Sequence, residues 1–249
     1  MNPVHRNYMS SSSRPGNTRV NLSNFLSCSL LLLILQVPTI THAAADSSCQ
    51  ITESDLATAS GVVSQLHDTL LSVMKDADKL GYSGRYKILE PVITNNFNTP
   101  LITRTILGSR YWNTMSEQQK NDFIDLFRKL SIATYADRFD GFNGEKFVEI
   151  GRRPLPVRGK CPPPPGREPP AQRILIKTEL QRVQDDNVKL EYLLQKMDDK
   201  WYIITVIADG VNDLSLKRGE YTDVIRHSGF AGLTDELKTK IQNMENGTE

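Results

Sequence analysis

Histidine and cysteine are scarce in this chain, with four and three among 249 residues. His5, His42 and Cys28 fall in the first 45 residues, which leaves His67, His227, Cys49 and Cys161 beyond them. A zinc site needs about four N, S or O donors, and no ligand spacing joins His67 to His227. The expectation is therefore no metal and no cofactor. No Gly-x-Ser-x-Gly elbow is present, and no phosphate-cradling glycine loop follows a strand. An excess of one charge is missing too. Thirty Lys and Arg against 29 Asp and Glu leave a net +1, too balanced for a phosphate-tracking nucleic-acid binder. Only one dense apolar stretch occurs, Phe25 to Val37. It falls short of the roughly 20 residues that span a bilayer. Composition thus excludes collagen-like, coiled-coil, basic-tail and multi-span membrane classes.

What is present suits a packed core. Apolar residues make up 39% and charged residues 24%, enough for one domain or two small ones. The first 45 residues hold Arg6, Arg14 and Arg19 and no acid, then the run Leu30 to Leu35, Pro38 and Ala43-Ala44-Ala45. A basic leader, a short apolar run and small residues describe a secretory signal peptide. Cleavage is expected just before Asp46, or two residues earlier after Ala43. Met9 is an alternative start, and an uncleaved anchor is the competing reading of the segment. Without residues 1–45 the chain carries 27 basic and 29 acidic residues. Cys28 leaves with the signal. Cys49 and Cys161 meet an oxidising compartment, where a disulfide between them and two free or partner-linked thiols are both open outcomes.

Residues 53–80 are spaced as a helix, with Leu56, Val63, Leu66, Leu70, Val73, Met74 and Ala77 on one side. Thr52 is its expected N-cap and Gly81 its stop. Tyr86 to Phe97 is a second helical stretch, bent or split by Pro91. Leu101 to Leu107 is a third, after Pro100 and before Gly108. Ser116-Glu117-Gln118-Gln119 is a capping box that opens a long helix to about Phe139. Phe123, Phe127, Leu130, Ile132 and Tyr135 form its stripe. The period then changes to two. Strands are expected over 145–151, 172–181, 188–197 and 200–208, with Asp198-Asp199-Lys200 closing the last hairpin. Between the first two strands, 152–170 is a proline-rich loop insertion containing Cys161-Pro162-Pro163-Pro164-Pro165-Gly166, barred from a ladder by its prolines. After Asp209-Gly210 the helical period returns through Val211, Leu214, Leu216, Tyr221, Val224 and Ile225. Gly229 ends that stretch, 234–243 is a short last helix, and 244–249 is a loose tail. The reading is a signal over 1–45 and a single α+β domain over 46–243. In it helices pack on a mostly antiparallel four-stranded sheet.

Chemistry-bearing residues are few. Asp209 and Asp213 follow the last strand and are candidate general bases in a cone-shaped pocket, although turn formation and a helix start account for both. Asn246-Gly247-Thr248 is a glycosylation sequon, relevant only in a eukaryotic host. The residual signal is apolar excess, and periodicity does not separate a filled core from one containing a lipid pocket.

One run of residues narrows this. Phe97-Asn98-Thr99-Pro100-Leu101-Ile102-Thr103-Arg104 leads to Leu107-Gly108-Ser109-Arg110-Tyr111-Trp112, then Met115-Ser116-Glu117-Gln118-Gln119 and Phe123-Ile124-Asp125-Leu126-Phe127. Trp201-Tyr202-Ile203-Ile204, Asp209-Gly210-Val211, Arg218-Gly219-Glu220-Tyr221 and Gly229-Phe230-Ala231-Gly232-Leu233 follow in order. The pattern resembles the MlaC (toluene-tolerance auxiliary component) family of periplasmic phospholipid-binding proteins over roughly residues 55–242. The segment from Asp209 to Tyr221 looks more like the hopanoid-associated HpnM branch, and the proline loop is no part of the family pattern. The resemblance implies a monomeric, non-enzymatic periplasmic carrier whose apolar cavity holds acyl chains. It would exchange phospholipid or a hopanoid-type lipid with an inner-membrane ABC-type complex and an outer-membrane acceptor, and so serve outer-membrane homeostasis. The residues expected to line the cavity are Phe123, Phe127, Leu130, Tyr192, Leu194, Ile204, Val206 and Leu214. The rival readings are an enzyme with Asp209 or Asp213 as base, and an envelope scaffold with a filled core.

Overall fold

The computed structural model describes residues 49–248. The expected signal segment lies outside them. Five helices and one sheet follow in chain order: α1 (Glu53–Lys75), α2 (Ala77–Asn96), α3 (Thr99–Trp112), α4 (Glu117–Arg138), β1 (Lys146–Pro154), β2 (Arg173–Gln181), β3 (Val188–Met197), β4 (Lys200–Ala208), β5 (Val211–Asn212) and α5 (Asp213–Asn246). The sheet is antiparallel in the order β1-β2-β3-β4-β5. The fifth strand is the two-residue β5, which the expected four strands did not include. None of the described helices is long and apolar enough to cross a membrane.

Local chemistry sets the helix ends. Thr52 and Asp55 form a reciprocal capping box at α1, and Ser116 and Gln119 form one at α4. Each box satisfies two of the amide donors that a helix start leaves unpaired. Asn98 caps α3 by accepting from the Leu101 N–H at 2.9 Å. Its own N–H donates to the Ile203 carbonyl, so the α2–α3 corner covers part of the outer edge of β4 that β5 leaves open.

The glycines expected to stop helices do break them, but the chain resumes helix at once. Gly81, Gly108 and Gly229 have φ of 58°, 68° and 72° inside α2, α3 and α5. That region is strained for residues with a Cβ. Helix α1 ends earlier than expected, at Lys75 with Asp76 as its cap. Pro91 neither splits nor ends α2. The tail expected to be loose is helical to Asn246, because Met244 is buried with Leu233 and Leu237. Gly247 closes it in the left-handed conformation. Strand β1 runs on to Pro154. As an edge strand it tolerates a proline, so the loop occupies 155–172 rather than starting at Arg152.

The turns follow their residues. Asp198 and Asp199 have φ of 48° and 60°, and Asp209 and Gly210 have 48° and 83°. Both pairs make two-residue hairpins of the kind that needs positive φ at each central position. Cys49 and Cys161 are disulfide-bonded, which ties the proline loop to the start of α1. The buried side chains fall into two groups. One joins α1 and α2 to the sheet around Leu66, Leu70, Leu194, Trp201 and Ile203. The other joins α3, α4 and α5 around Ile106, Phe123, Phe127, Tyr221 and Leu237.

Candidate functional site

A cavity of about 430 Å³ lies between α4, the start of α5 and one end of the sheet. Its helical wall is the α4 face Phe127, Leu130, Ser131, Thr134, Tyr135 and Arg138. Those positions recur at three and four residues, so they share one side of the helix. The sheet contributes Leu190 and Tyr192 from β3 and Ile204, Val206 and Ala208 from β4. Leu214 and Leu216 of α5 close the third side. The size falls within the roughly 300–1,000 Å³ of small-molecule pockets.

Among the described residues, charge in the lining is confined to three, Arg138, Asp213 and Lys217. Asp213 accepts from Lys217 Nζ at 3.0 Å. Arg138 and Leu216 are exposed, Leu216 at 62%, and so mark the mouth. Deeper in, an aromatic row separates the hollow from the α1 core. Phe97 meets Tyr135 edge-on at 5.9 Å, Tyr135 stacks on Phe139 at 5.8 Å, and Phe139 leads to Phe147 at 6.5 Å. Phe147 stacks on His67 at 4.0 Å.

His67 is buried on α1, and its Nε2 lies 2.9 Å from the Tyr192 hydroxyl. Burial pushes His67 down to about 4, so the ring is neutral near pH 7. Burial likewise pushes Tyr192 well up, with Tyr135 adding to it. Tyr135 is raised by burial and by Asp213, against the opposing charge of Arg138. His67, Tyr135 and Tyr192 therefore stay uncharged near pH 7, and away from its charged mouth the lining is chemically an apolar surface with a few hydroxyls.

Six of the eight residues expected to line a cavity do so: Phe127, Leu130, Tyr192, Ile204, Val206 and Leu214. Two do not. Phe123 is sealed between α4 and α5 against Phe230 and Tyr221. Leu194 shares the Tyr192 face of β3 but lies under α1, fully buried beside Trp201 and Ile203. Substituting it tests the core and not the cavity wall.

Sequence reasoning missed Thr134, Tyr135, Arg138 and Phe139, although the α4 stripe already contained Tyr135. It also missed the mouth residues Val211 and Leu216, because the helical period that includes them does not mark which of its members border a hollow. Asp209 is outside the lining. Its carboxylate accepts from the Lys189 N–H at 2.9 Å and so ties the Asp209-Gly210 turn to β3. Asp213 is paired at the mouth beside the first turn of α5. Neither aspartate is aimed into the hollow as an unpaired base.

The phospholipid-binding protein from Ralstonia solanacearum, solved at 1.53 Å in complex with a phospholipid, has this fold. The match has a TM-score of 0.58 at 18% identity and covers 75% of this chain and 98% of that one. At the level of sequence, the family model described as MlaC protein matches residues 64–239, from the middle of α1 to the closing turns of α5, and the chain therefore belongs to the MlaC family.

Proposed function

We propose that this protein is a lipid carrier of the cell envelope. It holds the acyl chains of a phospholipid or a hopanoid-type lipid in the α4–sheet cavity and leaves the polar end at the Arg138–Lys217 mouth. The observation that carries the reading is the hollow itself, an apolar lining with its charged groups limited to Arg138, Asp213 and Lys217. Burial is worth about 0.8 kcal/mol per CH₂. A long acyl chain therefore does not cross water unaided, and an apolar shell lowers that barrier without chemistry. The Ralstonia protein, which was solved with a phospholipid, supports the same reading.

In this reading the chain is exported by its N-terminal segment and works in the periplasm as a monomer. It loads and unloads at an inner-membrane transport complex and an outer-membrane acceptor. It performs no catalysis, in keeping with the spent carboxylate of Asp209 and the ion pair of Asp213.

The test is native mass spectrometry of protein purified from the periplasm without detergent, followed by organic extraction. The expected result is phospholipid or hopanoid near one to one. Val206→Trp and Leu130→Trp fill the hollow from two walls, and both should lose the lipid while keeping the circular dichroism of the unmodified protein. A folded, lipid-free protein that also takes no lipid from phospholipid vesicles would overturn the proposal.

A further inference from the structure

Charge is unevenly placed in this chain. Between Arg152 and Arg173 stand Arg152, Arg153, Arg158, Lys160, Arg167 and Arg173 against the single acid Glu168. The rest of residues 46–249 carries seven more acids than bases. All six cations are exposed. Arg152 is drawn toward Glu149 and the Ser60 hydroxyl, and Arg173 donates to the Gln195 amide oxygen. Among the described residues no ion pair engages Arg153, Arg158, Lys160 or Arg167.

These cations are presented by a constrained segment. The Leu155 N–H donates to the Arg173 carbonyl at 2.8 Å and closes the neck of the loop. The Lys196 N–H donates to the Gln172 carbonyl at 3.0 Å and joins the neck to β3. The disulfide holds Cys161 to Cys49 at the start of α1, and six prolines between Pro162 and Pro170 fix φ along the crest. Little conformational freedom remains to be lost on binding, which is the condition for affinity at modest area. Five of the six cations are arginine, whose planar fork matches a carboxylate through two parallel hydrogen bonds.

We propose that the proline loop, together with the ends of β1 and β2 that carry Arg152, Arg153 and Arg173, is a docking surface for an acidic protein partner, set apart from the cavity mouth. Loop and mouth lie at opposite ends of β2. Arg173 begins that strand and the cavity-lining Leu180 nearly ends it, a separation of roughly 23 Å at about 3.3 Å per residue. A partner seated on the loop leaves the mouth free. A bilayer fits this surface less well. No large apolar side chain is exposed between residues 152 and 173, so the loop has no anchor for the acyl region, and a membrane held here would face away from the mouth. The proposal rests on the carrier reading only for that last point.

The experiment titrates the mature protein with poly-L-glutamate at low and at 0.3 M salt. Parallel flotation uses vesicles of phosphatidylglycerol and phosphatidylethanolamine. The protein is expected to bind the polyglutamate in a salt-dependent manner and to leave the vesicles bare. Arg153→Glu/Arg158→Glu/Arg167→Glu should weaken binding by tenfold or more. Lys79→Glu/Arg226→Glu/Lys238→Glu makes the same charge change on helices and should stay within twofold. Equal losses in the two triple variants, or no loss in the loop variant, would overturn the proposal. So would stronger binding to vesicles than to polyglutamate. Native mass spectrometry of the loop variant separates this idea from the carrier reading. The variant should hold the same lipid load as the unmodified protein, so losing the dock and losing the cargo are distinct results.

Discussion

The face of the sheet that meets the helices has two halves built from the same kinds of residue, yet one is solid and the other hollow. Under α1 lie Ile174, Ile176, Leu194, Trp201 and Ile203, all essentially without exposure and packed on Leu66 and Leu70. Past Tyr192 the same face continues as Leu190, Val206 and Ala208, and none of the described helices fills the space above them. The difference is one of distance between elements and not of composition. Helix α1 lies directly on the strands. Helix α4 is braced from behind by α5 and the Phe123 cluster and forms the far wall of the hollow. The aromatic row through Tyr135, Phe139, Phe147 and His67 marks the border between the halves.

The sharpest way to break this comparison is to truncate one apolar side chain to alanine in each half. Leu194→Ala should cost about 2–5 kcal/mol, because it leaves a void in a close-packed site. Val206→Ala should cost under about 1.5 kcal/mol, since its side chain already faces open space. Urea unfolding of the two variants checks the contrast, and equal losses would mean that the hollow is packed in solution. The disulfide anchors the solid half, closing a separation of 112 residues. Cys49→Ser/Cys161→Ser should lower stability by about 2–5 kcal/mol, read as an earlier melting transition with the cargo retained.

His67 joins the halves and gives the border a pH signature. Its pKa falls from 6.5 to about 4 on folding, so between those values the unfolded chain binds a proton that the native state does not. Stability is therefore complete above pH 6.5 and declines by about 3 kcal/mol as pH falls toward 4. His67→Phe should flatten that slope. It should also cost about 1–3 kcal/mol at pH 7 by leaving the Tyr192 hydroxyl unpaired. Melting curves from pH 4 to 8 decide it. The smallest expected effect is Thr52→Ala at the start of α1, about 1 kcal/mol from the lost cap, with no change in the hollow.

Much of the fold was legible because it is written locally. Thr52 and Ser116 announced two helix starts, Gly81, Gly108 and Gly229 announced three breaks, and the alternation Val188-Leu190-Tyr192-Leu194 announced β3. The site was legible only in part, and the misses share a cause. In β4 the sequence alternates through Tyr202, Ile204, Val206 and Ala208, and alternation alone does not say which face points inward. A register shift opposite Leu193 and Leu194 inserts one extra residue. On one side of it Val206 and Ala208 face the cavity. On the other, Trp201 and Ile203 are the buried pair. Adjacent isoleucines at 203 and 204 carry no mark of where the phase changes.

By itself the sequence determined most of the elements and the apolar stripes of the helices, because capping, turn chemistry and periodicity act over a few residues and do not depend on what packs against them. It also placed two cysteines beyond residue 45, without deciding that they pair. Tertiary structure decided the rest. It closed Cys49 to Cys161, carried α5 past Asn243 by burying Met244, and moved the Leu194 end of an apolar strand face into the core while leaving the Tyr192 end open. Whether an apolar side chain meets another side chain or a space depends on how far apart two elements are held, and that distance is set by contacts remote in sequence.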